Sequence, residues 1–259
     1  MKTKKVKIVD ISLHIATFLT VIFIWEAVVR IFDISSSIFP SGIETVFSFF
    51  SFFFNFESIE HLWATFSETM LGFLLGSLGG AILGILVAEI KWMKNHIFPY
   101  LVALNSIPKM ALAPLFIVWF GFGISSKVAM VMISTFFPVL INMIVGMDKI
   151  DANQIKLMKA YSASKWQVFR RVKLPGSLPY LFSGLEIAII FGVIGAVVAE
   201  FVGADKGLGF LMLFYNARFE IDDMFAILGV ISLMGYLLLL AVQKASKKIV
   251  FWQGNDNKK

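Results

Sequence analysis

Long apolar runs separated by short charged stretches divide this chain. Six segments, roughly 11–32, 63–90, 97–120, 128–147, 181–203 and 224–245, each offer about 20 mostly apolar residues, the length a helix needs to cross a bilayer's hydrocarbon core. The third is the most interrupted: Pro99, Pro108 and Pro114 remove backbone donors within it, and Lys109 sets a cation inside it. Between the first two runs, residues 35–54 read SSSIFPSGIETVFSFFSFFF, too short and too turn-rich around Pro40 and Gly42 for another crossing. The spacing of Phe47, Phe50 and Phe54 predicts a short helix lying in the membrane interface, with a re-entrant segment as the alternative. The pattern as a whole predicts an all-α polytopic membrane protein of about six transmembrane helices, organised as a single membrane domain over 1–259.

Two runs carry small residues at helical spacing. Gly72, Gly76, Gly80 and Gly84 recur every four residues in the second, and Gly184, Ala188, Gly192 and Ala196 do so in the fifth. Lipid tails are as apolar as side chains, so helices associate in a bilayer by close packing, which such stripes permit. They predict helix contacts within or between subunits.

Composition adds that 58% of the 259 residues are hydrophobic and 28 are Phe, at mean hydropathy +0.83, too little polar surface to cover a soluble globule. With no Cys, disulfides, thiolate metal sites and cysteine nucleophiles are excluded, and His14, His61 and His96 are too scattered to suggest a metal site. The net charge of +6 is distributed unevenly. With an even number of spans and the N-terminus inside, Lys2, Lys4, Lys5, Lys7, Lys91, Lys94, the basic residues of 148–180, and Lys244, Lys247, Lys248, Lys258 and Lys259 share one side. The other side keeps only Arg30, Lys127, Lys206 and Arg218, among many carboxylates. The positive-inside rule then places both termini in the cytoplasm and accounts for the charge without nucleic acid. The N-terminal MKTKKVK and its apolar run have a signal-peptide layout but no persuasive cleavage site, and read as a retained first span.

Residues 148–180 interrupt the apolar pattern with a basic, amphipathic module. DANQIKLMKAY predicts a short helix with Ile155, Met158 and Tyr161 near one face, followed by a small-residue joint at Ser162, Ala163 and Ser164. Ser164 with Gln167 three residues later is a capping-box pattern. The next helix carries Trp166, Phe169 and Val172 toward one side and Arg170, Arg171 and Lys173 elsewhere, and Leu174-Pro175 is expected to stop it. An amphipathic pair resting on anionic lipid would share this composition, but a joint, a cap and a Leu-Pro pair together point to a docking element for another protein.

This module resembles the EAA loop of ABC-importer permeases. Ala160, the 163–167 run, Phe169-Arg170-Arg171-Val172, Leu174-Pro175 and Leu178-Pro179 match the pattern; Lys156 stands where the family usually has Glu, and Ser162 replaces its loop glycine. Residues 105–128 and 197–211 resemble the corresponding stretches of the subfamily importing nitrate, sulfonates and taurine, which also contains permeases for thiamine precursors. The resemblance spans roughly 60–250. It implies a prokaryotic inner or plasma membrane protein acting as a permease homodimer. Two cytoplasmic ABC ATPases would dock on the loop through Lys156, Met158, Ala160, Tyr161, Ser162, Ala163, Ser164, Trp166, Phe169, Arg170, Arg171, Leu174 and Pro175. An extracytoplasmic binding protein would deliver the solute, and ATP and Mg would be used by the ATPase partner. No GxxxxGK[ST] loop occurs in the chain, so no enzymatic activity or cofactor of its own is expected.

Ionisable groups at membrane depth are costly and usually face protein or a water-filled path. Glu26, Glu68, Lys109 and Glu186 are of this kind. Lys109, beside Asn105 and Ser106 in the proline-broken run, is a candidate for the translocation path of an anionic or polar solute; an internal pair with Glu68 or Glu186 is the competing role. Glu200 and the Gly-rich 203–209 segment are candidates for the path's outer end. An ion-coupled secondary transporter is the alternative reading, disfavoured by the module and by the lack of a repeated half.

Overall fold

The computed structural model describes residues 2–36 and 38–252, and every regular element among them is helical. In order these are α1 (Lys2–Ile31), α2 (Gly42–Phe52), α3 (Phe56–Glu89), α4 (Lys91–His96), α5 (Phe98–Asn105), a 3-10 turn (Lys109–Leu112), α6 (Ala113–Phe120) and α7 (Ile124–Asp148). There follow α8 (Ala152–Ala160), α9 (Lys165–Val168), a π-helical turn (Phe169–Lys173), α10 (Leu174–Gly203), α11 (Leu208–Ala217) and α12 (Ile221–Ile249).

Among the described residues four helices are long and apolar enough to cross a membrane: α3, α7, α10 with its N-terminal extension, and α12. The interrupted third run becomes α5 and the 109–120 segment, bent by 84° where Pro108 follows the end of α5, and counts as a fifth span if the pair is one. The first predicted span falls on α1, whose side chains before Leu13 lie outside those described, as do the lysines at both termini.

The core forms around α7, because both small-residue stripes close on it. A Cβ at Gly72 would strike the Val131 side chain, and one at Gly76 the Thr135 hydroxyl and Met132 carbonyl. At Gly80 it would lie 2.5 Å from the Phe136 carbonyl, and at Gly84 2.8 Å from Met143. From the other side, Gly184 fits against Asn142 and Gly192 against Thr135, while Ala188 and Ala196 are fully buried. These contacts lie within one chain. Met130, Val139, Leu140 and Met143 of α7 are fully buried, Met130 against Ala113 and Phe116 of α6 as well as Ala199 of α10. Pro138, inside α7, leaves its own carbonyl to accept from Asn142 Nδ2 at 2.8 Å.

The short helix predicted before the second run is α2. Ser41 caps it, Thr45, Ser48 and Phe52 are buried, and Phe47 and Phe50 stand exposed with Phe54 just beyond its end. Glu26 of α1 fastens it, accepting from Ser41 Oγ at 2.7 Å and from Arg30 at 2.6 Å.

The stop expected at Leu174-Pro175 does not occur. Residues 165–203 run as one apolar helix, with Pro175 in the first turn of α10. Proline lacks the N–H for the residue four back and its ring presses on that carbonyl. The π turn immediately upstream loosens the winding there and lets the helix continue.

Candidate functional site

The loop over 148–180 is built almost entirely from local capping. Asp151 starts α8 by accepting from Asn153 N at 2.8 Å. At its end, Ser162 N donates to Lys159 O at 2.9 Å and Ala163 N to Met158 O at 3.0 Å, the paired bonds of a Schellman motif. That motif requires a left-handed residue, and Ser162 supplies it at φ +56°. Serine thus adopts, at the position where the EAA loop that this segment resembles carries glycine, a conformation that favours glycine. Ser164 then opens the next helix with a complete capping box: Gln167 N donates to Ser164 Oγ at 3.2 Å and Ser164 N to Gln167 Oε1 at 2.8 Å.

On this frame, Trp166 and Phe169 stack with ring centroids 5.5 Å apart, and Trp166 is 64% exposed. Tyr161, Lys156, Ala160, Arg170 and Arg171 are exposed; Met158, Ala163, Leu174 and Pro175 are half-buried. Val168, which the sequence did not single out, is the buried anchor of the short helix. Two ion pairs fasten the module to the bundle: Lys173 with Glu89 at the end of α3 (2.6 Å), and Lys94 of α4 with Asp148 at the end of α7 (2.5 Å).

The second feature lies at the bend. Lys109 Nζ donates to Asn105 O and Oδ1, both at 2.9 Å, and sits 5.2 Å from the Phe137 ring centroid. It borders a cavity of about 330 Å³ shared with Asn105, Ser134, Pro138, Asn142 and Phe191. Among the described residues no carboxylate lies within ion-pair distance of Lys109, so the pairing weighed for it with Glu68 or Glu186 does not form. Glu68 turns instead to Lys127 at 3.8 Å, and Glu186 accepts from Gln243 at 3.4 Å. Ser106 is exposed and bonds weakly back to Val102 O, outside the cavity.

Glu200 is sealed inside the bundle. It is 1% exposed, accepting from Thr65 Oγ1 at 2.7 Å and Gly209 N at 2.5 Å, so its carboxyl oxygens are spent on internal bonds. At this end of the bundle each of the four basic residues meets a carboxylate: Arg30 with Glu26, Lys127 with Glu68, Lys206 with Glu60, and Arg218 with Glu220. The hydrogen bond and charge of Glu60 hold the Lys206 ammonium above the usual lysine range.

Residues 76–250 match the family model described as "binding-protein-dependent transport system inner membrane component". The chain is 34% identical over 240 residues to the formylaminopyrimidine transport permease protein ThiX of Halalkalibacterium halodurans, covering 91% of this chain and 94% of that protein. It is 28% identical to the putative aliphatic sulfonates transport permease protein SsuC of Bacillus subtilis, covering 91% and 85%. Its fold matches an inward-facing structure of the MetNI methionine ABC transporter at TM-score 0.66 and 20% identity, covering 74% of this chain and 95% of that one.

Proposed function

The chain belongs to the family of inner membrane components of binding-protein-dependent transport systems and is a permease subunit of an ABC importer; from that premise we propose how its parts divide the work. The loop over 148–180 and both termini face the cytoplasm, where an ATPase dimer docks on the Trp166–Phe169 stack and its basic rim. Two copies of this chain form the path, and an extracytoplasmic binding protein presents the solute at the opposite end. ATP and Mg are consumed by the partner, so the chain contributes motion and selectivity. ATP binding need only favour one arrangement of the bundle over another to drive the cycle.

We infer that the solute is small and polar or anionic. The carrying observation is the Lys109 cation beside the polar cavity, with no carboxylate partner among the described residues and one of its three N–H donors left unused by Asn105. Asn105, Asn142 and Ser134 surround it with groups able to meet an anion's oxygens or a heterocycle's edge, and Phe191 offers an apolar face. Such a lining suits solutes of the kinds that the names of the two relatives specify, an aminopyrimidine and an aliphatic sulfonate. The test is uptake into proteoliposomes carrying the assembled transporter. Lys109→Met should cut uptake of its anionic or polar solute at least tenfold while ATPase activity persists; uptake at the wild-type rate would remove Lys109 from the path.

A further inference from the structure

The first backbone N–H groups of α11 have no local cap. Gly207 occupies the cap position with φ +118° and no side chain to offer. Each donor is met by another helix instead. Gly207 N donates to His61 Nδ1 at 3.0 Å, Leu208 N to Thr65 Oγ1 at 2.7 Å, and Gly209 N to Glu200 Oε2 at 2.5 Å. Thr65 passes its own hydroxyl hydrogen to Glu200 Oε1 at 2.7 Å. His61 and Thr65 stand one turn apart on α3, and Glu200 comes from α10. The glycines are required by this closeness, since a Cβ at Gly207 or Gly209 would run into the Glu200 carboxylate.

The same cluster reaches the segment across an open cleft of about 580 Å³, lined by Phe122, Gly123, Gly203, Ala204 and Asp205. Lys127, 4% exposed, donates from Nζ to the Phe122 carbonyl at 3.3 Å and faces Glu68 Oε1 at 3.8 Å. Glu68 lies one turn beyond Thr65 on α3 and is itself 4% exposed. One lip of the cleft, 122–123, is therefore tied through Lys127, and the other, 203–209, through Glu200, Thr65 and His61. Both meet on α3. The weakest joint is Glu68: its separation from Lys127 exceeds hydrogen-bond length, and its buried Oε2 has no hydrogen-bond partner among the described residues.

We propose that His61, Thr65, Glu68, Lys127 and Glu200 are positioning residues of the transporter's outer gate, fixing both lips of this cleft, and that the gate opens by parting the Glu68–Lys127 contact. The proposal rests on reading the cleft as the solute's way in. A buried, largely satisfied network holds its members stiffly, whereas removing one member leaves its partners unsatisfied in a low dielectric.

The test uses the full transporter, with ATPase and binding protein, in lipid nanodiscs. This chain has no Cys, so with Cys-free partner subunits a bimane label on Gly123→Cys, where an added side chain meets open space, faces no competing thiol, and Asp205→Trp on the other lip of the cleft quenches it only at close range. Wild type should lose quenching when ATP and vanadate trap the cycle. Glu200→Gln or Thr65→Val should weaken quenching at rest and raise the KM for uptake about fivefold or more, with ATPase activity retained. Thr65→Ser, which keeps the hydroxyl, should restore both, and serves if Glu200→Gln fails to fold. Lys127→Met should weaken resting quenching as well. Wild-type quenching and KM in Thr65→Val and Lys127→Met would overturn the gate assignment alone. Quenching that never changes through the wild-type cycle would overturn the reading of the cleft itself.

Discussion

Ser162 shows what a single backbone angle demands. Its left-handed conformation closes α8 and turns the chain toward the docking helix. A non-glycine residue gives up about 1 kcal/mol there relative to glycine. Ser162→Gly should therefore raise the thermal stability of the purified assembly slightly and leave ATPase docking intact, whereas Ser162→Val should lower both. The glycine stripe makes a sharper distinction within one helix. Gly76 touches Thr135 and the Met132 backbone, but Gly79 has only the Phe136 ring at 3.6 Å. Gly76→Leu should cost about 3 kcal/mol in overpacking and deplete folded protein in membranes, while Gly79→Ala should leave the yield unchanged. These stripes could be read from the sequence because their period is the helix's own. The outer cluster could not, since His61 and Thr65 lie 146 and 143 residues from the donors they meet. Glu200 likewise looked like a lining residue because its position near a run's end says nothing of the Gly209 N–H folded back over it.

At the level of elements, local signals proved faithful where partners are adjacent in sequence. The capping box at Ser164 and the short α2 follow the patterns that predicted them. The Leu174-Pro175 stop did not form, because a proline in a first turn costs little once the preceding turn widens. That widening has a consequence: α9 and α10 form one rod, pinned to α3 by Lys173 and Glu89. Trp166→Ala should weaken ATPase binding by about 2 kcal/mol, roughly 30-fold, without impairing membrane insertion, as measured by co-purification from native membranes. Phe169→Asp should do the same more severely. Complexes retained in both variants would defeat the docking assignment.

For the whole molecule, the family settles what drives the cycle while sidedness rests on the distribution of lysine and arginine. Uptake should stop on ATP depletion yet persist with an uncoupler, and a reporter fused to the C-terminus should be active only in the cytoplasm. The apolar runs made the membrane architecture plain from sequence, four of the six becoming long apolar helices among the described residues, yet hydropathy alone could not show that a further one bends through 84°. Nor could it show that α7 is enclosed by α3 and α10, because burial against protein and burial in lipid select the same apolar residues. That enclosure carries a mechanical consequence. Helices whose backbones interlock through glycine and alanine notches cannot slide past one another without collision, so α3, α7 and α10 must tilt together as a single lever along the notched length, from Gly72 against Val131 to Gly84 against Met143, with Glu68 and Lys127 just beyond its outer end. A push delivered at the 148–180 loop would then arrive at the far lips as a rotation of the lever, its size set by where the fulcrum falls along α7.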